Sequence, residues 1–184
     1  MKILGFHMDC QPTVGAHVQA LRKRYWILYH LRRYGFTEEE LCKVYQTIIR
    51  PVADYCCVVY HSMLSDEQDE LLYRCQAQAL RCIFGKDVTY QEIRRRAGVP
   101  TLRQRRIKLC DKFVHKCLNT PRFLGWFPRK KAPRNTRTSQ EFVKFFARCD
   151  CLKNSPLYYM RCRLNGKEGK AYGERYKHRR SITN

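Results

Sequence analysis

The chain has 184 residues, 44% of them hydrophobic, which is enough for one cored domain or for a domain with an appendage. Lys and Arg total 37 against 16 Asp and Glu, a formal charge of +21, so a neutral or acidic surface is excluded and a polyanionic partner is implied. No run approaches the roughly 20 apolar residues of a membrane span, and the apolar stretch at residues 3–6 is too short for a signal peptide.

The charge is localised. Residues 1–100 hold 14 basic and 11 acidic side chains, a balance of +3; residues 101–184 hold 23 and 5, a balance of +18. Nucleic acid is the first candidate partner and an anionic membrane surface the second. The 11 cysteines are odd in number and follow no secretory leader, so we expect reduced thiols and an intracellular location, nuclear or cytoplasmic.

In chain order, Lys2-Ile3-Leu4-Gly5-Phe6 resembles a strand fragment with no partner in the sequence. A first helix is predicted over 14–33, with Val14, Val18, Leu21, Tyr25, Leu28 and Leu31 as one stripe. Arg22, Lys23, Arg32 and Arg33 lie off that stripe, and Gly35 ends the helix. Thr37 opens a second helix carrying Leu41, Val44, Tyr45 and Ile48; Pro51 disfavours helical geometry at Arg50 and opens a third. A fourth runs over 65–84, a short one follows Thr89, and a sixth covers 101–119 with Leu102, Leu109, Cys110, Phe113 and Cys117 inward. Five capping boxes support these starts, at Thr37/Glu40, Ser65/Gln68, Thr89/Glu92, Thr101/Gln104 and Thr138/Glu141. Beyond 119, prolines and the Arg129-Lys130-Lys131 run read as an extended loop, 138–149 as one possible helix, and 166–184 as a disordered basic tail.

The fold class is therefore mainly α: a small helical bundle over 13–119, a short N-terminal strand remnant over 1–12, and a basic, partly disordered C-terminal extension from 120.

The third predicted helix poses the sharpest chemical question. Asp54, Cys57 and His61 fall at i, i+3 and i+7 and could meet at one point as a metal or thiol site. A structural zinc needs four ligands, commonly in spaced pairs, and a nucleophilic Cys needs a base and an oxyanion donor; neither set is present in the pattern. The plainer reading is a helix buried on most sides, and a strand is an alternative for the β-prone Tyr55–Tyr60 run. Cys149, Cys151, Cys162 and His178 match no zinc spacing either. No catalytic residue, metal ligand or cofactor is assigned to this chain.

The binding residues are basic. Arg105, Lys108, Lys112, His115 and Lys116 recur at helical spacing with Asp111 alone opposing them, Arg103 and Arg106 flank them, and Arg94, Arg95 and Arg96 precede them. Such a stripe can track phosphates or be a solvated helix face. Arg129, Lys130 and Lys131 lie beside Phe123, Trp126 and Phe127, which can either stack on bases or dock their loop.

The order of these pieces resembles a known family. The Lys2–Phe6 strand, the Tyr45, Ile49, Arg50, Pro51, Tyr55, His61 series and the Leu72, Gln76, Arg81, Ile83 series are similar to the thumb and post-thumb region of reverse transcriptases of non-LTR (LINE-like) retrotransposons. The likeness covers roughly residues 2–165 and is strongest over 41–85. Tyr60 departs from it, standing where a Trp is common. The resemblance implies a thumb-like helical body that grips an RNA or DNA template–primer duplex, with the palm and fingers of a larger enzyme as its other partners. The palm's Tyr-x-Asp-Asp motif is absent from the sequence, so the expected chain does not polymerise alone. The alternative is a stand-alone helical interaction protein whose basic surface meets an acidic protein or a membrane.

Overall fold

The computed structural model describes residues 2–3, 6–7, 15–85, 87–129, 141–143 and 146–166. It is mainly helical, as the pattern predicts, and divides into two compact units, Met1–Leu109 and Cys110–Asn184. Among the described residues no helix is long and apolar enough to cross a membrane.

At the front, Lys2–Ile3 (β1) pairs antiparallel with Phe6–His7 (β2), Lys2 opposite His7 and Ile3 opposite Phe6. The segment expected to lack a partner thus pairs with itself.

Gly15–Arg33 (α1) buries Val18, Leu21 and Leu28 against the core, close to the predicted stripe. Its end is set by Gly35, whose φ of 85° an L-residue with a Cβ adopts only at a cost. Glu38–Val44 (α2) starts at a complete capping box: the Thr37 side chain accepts from the Glu40 N–H, and the Glu40 carboxylate accepts from the Thr37 N–H at 2.9 Å. Three acidic side chains in its first turn complement the positive end of the helix dipole.

The predicted break at Pro51 does not occur. Tyr45–Ile49 widens into a π-turn, the Arg50 N–H donates to the Tyr45 carbonyl, and Arg50–Asp54 (α3) follows without interruption. Proline removes one backbone donor and crowds the preceding turn; a wider turn there relieves that crowding, so the helix continues.

The break comes one turn later. Tyr55 is extended and Cys56 is left-handed, with φ 53° and ψ 15°, the non-glycine positive φ among the described residues. Cys57–Tyr60 (α4) restarts on the Cys56 carbonyl, which accepts from Val59 N at 2.9 Å, and a single 3-10 turn follows over His61–Met63. The Tyr60 hydroxyl donates back to the Ala53 carbonyl and staples the two halves across the break.

Asp66–Phe84 (α5), Tyr90–Ala97 (α6) and Leu102–Leu118 (α7) lie within a residue or so of their predicted bounds. The boxes at Ser65/Gln68 and Thr101/Gln104 are complete. At Thr89 only the threonine arm forms, because Glu92 turns instead to Arg95 and Arg96. A single hydrophobic cluster of the first unit joins α1 to α6, with Leu28, Ile49, Leu72, Leu80 and Ile83 almost wholly enclosed.

Burial along α7 differs from the expectation in one decisive position. Leu102, Arg106, Cys110, Val114 and Cys117 are the buried residues, at spacings of four, four, four and three. Arg106 is 1% exposed; its Nη2 donates to Asp69 of α5 and its Nε to His61 Nδ1 at 3.4 Å. Asp69 is itself buried, so each charge answers the other in a dry setting.

In the second unit, Arg129 and Phe142 form an isolated antiparallel bridge, and Val143 N donates to the Pro128 carbonyl at 2.9 Å. The described part of 138–149 is therefore extended or irregular where a helix was predicted; Thr138, which should have opened it, lies outside the described residues. Asp150–Lys153 (α8) and Pro156–Leu164 (α9) were not predicted as helices. Ser155 caps α9 and Pro156 occupies its first position, where a missing N–H costs nothing. Arg161 of α9 donates to the Trp126 carbonyl at 2.6 and 2.9 Å and to the Val143 carbonyl at 3.2 Å, while Asn165 brackets the Phe142 backbone through both amide atoms. The predicted disordered tail lies, from residue 167, outside the described residues.

Removing one partner of a buried ion pair leaves the other charge uncompensated. Asp69→Ala is expected to lower unfolding free energy in urea by about 3–5 kcal/mol, and the double change Asp69→Leu with Arg106→Met to recover most of that loss. Failure of the double variant to recover would show that Asp69 stabilises α5 by some route other than Arg106.

Candidate nucleic-acid interface

The apparent Asp54, Cys57, His61 constellation does not form a metal or thiol site. Asp54 receives Arg105 Nε at 3.1 Å and lies 4.0 Å from Arg50 Nε, and His61 turns to Arg106. Cys57 is 2% exposed, and burial, with Asp54 adding to it, pushes its thiol up to about 11. A thiol so shifted is the reverse of an activated nucleophile. Among the described residues no group of three His, Cys, Asp or Glu side chains is placed to hold a metal. Of the second set, Cys149 and Cys151 are exposed, Cys162 is buried, and His178 lies outside the described residues.

The predicted basic residues separate into two groups. Several arginines face carboxylates of the protein itself. Arg106 is buried on Asp69, Arg105 meets Asp54, and Arg103 stands 3.9 Å from Asp69 with its side chain 32% exposed. Arg106 is therefore no part of an exposed phosphate-tracking face. Arg95 and Arg96 both bind Glu92, at 2.7 and 3.0 Å, and hold its carboxyl down at about 2. Arg94 reaches Gln104 at 3.4 Å and lies over the Tyr90 ring. The lysines differ: Lys108, Lys112 and Lys116 are exposed, as is His115. The single acid of α7, Asp111, accepts two bonds from Arg163 at 2.7 and 2.8 Å.

In the extension, Arg129 pairs with Glu141 at 3.2 Å and lies over Phe142; Lys130 and Lys131 fall outside the described residues. Phe123 and Trp126 are tilted neighbours, 4.8 Å between ring centres, and Trp126 is 44% exposed. Phe127 is buried and cannot stack on a base.

A further basic feature lies in the first half of the chain. A groove of about 1400 Å³ runs along α1 and α5, wholly within the first unit. Five arginines line it: Arg22, Arg32 and Arg33 from α1, Arg74 and Arg81 from α5. Asp87 is the single acid among its described lining residues. Tyr29, Tyr73 and Tyr90 supply aromatic faces, and the small residues Ala77 and Cys82 leave it open.

Helix packing places these groups. The α1 core stripe directs Leu21 and Leu28 inward, and the Tyr25 hydroxyl donates to the Cys75 carbonyl at 2.8 Å, fixing α1 along α5. Burial raises the Tyr25 hydroxyl far above its usual range, so it stays a donor. Arg32 is anchored by its Nη1 on the Cys82 carbonyl at 2.7 Å, and Arg33 lies over the Tyr29 ring. Across the groove, Tyr73 stands edge-on to Tyr90 at 4.8 Å, and Tyr90 is fixed by donating to Gln76 Oε1 at 3.0 Å. The signal was present in α1: Arg22, Trp26, Tyr29 and Arg33 recur at four, three and four on the flank beside the core stripe. No family model, curated protein or solved structure matches the chain.

Thiol labelling checks the reading of the cysteines. Iodoacetamide at neutral pH is expected to modify exposed Cys149 and Cys151 first, and Cys57 at least roughly a hundredfold more slowly, since about two pKa units separate it from an ordinary thiol. Early modification of Cys57, located by peptide mass, would contradict its burial.

Proposed function

We propose that this chain is a nucleic-acid-binding, thumb-like part of a non-LTR retrotransposon reverse transcriptase, one that grips template–primer duplex through its phosphates and does not polymerise by itself. The observation that carries the reading is the α1/α5 groove, whose described lining holds five arginines and one acid, Arg74 among them being paired with Glu70. Guanidinium forks suit phosphate oxygens, and a groove of one sign gathers a polyanion from a distance. The exposed lysines of α7 add point charges of the same sign outside the groove. The sequence features set out above supply the link to the reverse transcriptases, and the missing Tyr-x-Asp-Asp motif is the ground for expecting no polymerisation. Asp54, within the Ala53–Cys57 run, is committed to Arg105.

The test is a duplex titration across salt. Each phosphate neutralised contributes about 0.9 to the slope of log affinity against log salt, so we expect a steep slope for the full chain. Arg22→Glu with Arg81→Glu should weaken duplex binding at least about tenfold and flatten the slope by roughly two; Lys108→Glu should flatten it by roughly one. A binding constant indifferent to salt, or to the arginine reversals, would rule the proposal out.

A further inference from the structure

We propose that the α1/α5 groove is a seat for unpaired nucleotides, with bases stacking on Tyr29 and Tyr73 while phosphates meet Arg22, Arg33 and Arg81. This deepens the nucleic-acid reading above and rests on it.

The aromatic content of the groove suits it to single strands in addition to the phosphate contacts it offers a duplex. A paired duplex presents sugar and phosphate outward and keeps its base faces stacked, so it has no use for exposed rings. An unpaired strand offers one π face per base, and rings beside cations are what such a strand needs. Tyr29 is 57% exposed and Tyr73 43%, and they come from the two helices that line the groove. Neither ring is left to wander. Tyr73 is braced by Tyr90, which Gln76 holds from the core, and Tyr29 has the Arg33 guanidinium over it at 6.0 Å. A pre-set tyrosine loses little conformational freedom on binding, which favours it over a flexible side chain in this role. The guanidiniums lie within the same lining, so base and phosphate can be met together.

An acidic peptide would answer the arginines but has no planar faces for the tyrosines. That difference makes the two ligands separable.

The experiment measures anisotropy of a labelled ten-nucleotide oligo(dT) and of a blunt duplex, at fixed salt, with the full chain. Tyr29→Ala with Tyr73→Ala should cost single-strand affinity roughly tenfold or more and change duplex affinity less than twofold. Tyr29→Phe with Tyr73→Phe should bind single strands like the wild type, since stacking needs the ring and not the hydroxyl. Both positions are exposed, so thermal melts of these variants should match the wild type. Single-strand affinity unmoved by alanine, or lost equally in the phenylalanine pair, overturns the proposal. So does competition by poly-glutamate as effective as by oligo(dT) at equal charge. Duplex binding without single-strand binding sinks this inference alone; binding of neither sinks the nucleic-acid reading with it.

Discussion

Gln76 is almost wholly enclosed in the middle of α5, and its side-chain amide is the polar centre on which the first unit is arranged. Its oxygen accepts from the Tyr90 hydroxyl at 3.0 Å and from Leu102 N at 2.9 Å, and its nitrogen donates to the Pro100 carbonyl at 2.9 Å. The buried Tyr45 hydroxyl is bonded to it as well. A buried amide has two donors and two acceptor lone pairs, and leaving any of them empty costs more than the bond returns. Here the constraint runs outward in three directions: to the start of α7 through Leu102 and Pro100, to α6 through Tyr90, and to the π-turn through Tyr45. The groove inherits its rigidity from this centre, because Tyr90 in turn braces Tyr73.

The second governing feature is where the acids sit. By count, the first hundred residues are nearly balanced, yet they build a groove lined by five arginines and one acid. The resolution lies in helix ends. α2 carries Glu38, Glu39 and Glu40 in its first turn, and α5 carries Asp66, Glu67 and Asp69, where the helix dipole favours them. The arginines of α5 come later, at 74 and 81, and α1 has no acidic residue at all. Acids gathered at N-termini leave helix flanks of one sign. A charge sum over a stretch of sequence cannot register that separation, which explains why it directed attention to the second half of the chain.

What could be read from the sequence follows the same division between local and non-local causes. Helix starts at 38, 66 and 102 were legible because a capping box is a contact between residues three apart. The continuation through Pro51 was not, because it depends on a wider turn forming upstream. The stop at Cys56 was equally hidden: its left-handed backbone is held by the Tyr60 hydroxyl on Ala53 and by burial of Cys57 and His61 on either side of the new turn. Beyond that stop His61 is taken up by Arg106 and Asp54 by Arg105, and among the described residues no three such side chains are placed to hold a metal. Arg106 was a missed but readable case. It shares the four-residue spacing of Leu102, Cys110 and Val114, and a basic residue on an apolar stripe asks for a buried acid, which Asp69 supplies. Tyr29 and Trp26 were readable too, as exposed aromatics on the flank of α1 beside the core stripe.

The buried and half-buried arginines and the lysines of α7 are employed differently, and the reason is hydration. A guanidinium is weakly hydrated and offers a flat fork, so it can leave water to meet a carboxylate or carbonyl in partly dry surroundings. Arg105, Arg106, Arg161 and Arg163 all do so, and Arg161 donates to two backbone carbonyls. An ammonium is a strongly hydrated point charge on a mobile stem, and Lys108, Lys112 and Lys116 are left in water accordingly. The arginines of the α1/α5 groove fall between these cases: Arg32 is tied to a carbonyl and Arg74 to Glu70 at 3.0 Å, yet both line an open surface. Arg32 and Arg74 are held in this way and Arg33 lies over Tyr29, so part of the entropic cost of fixing a phosphate contact at these three is met in folding. Binding there is favoured by preorganisation, whereas binding on the α7 lysines rests on charge alone and is screened accordingly.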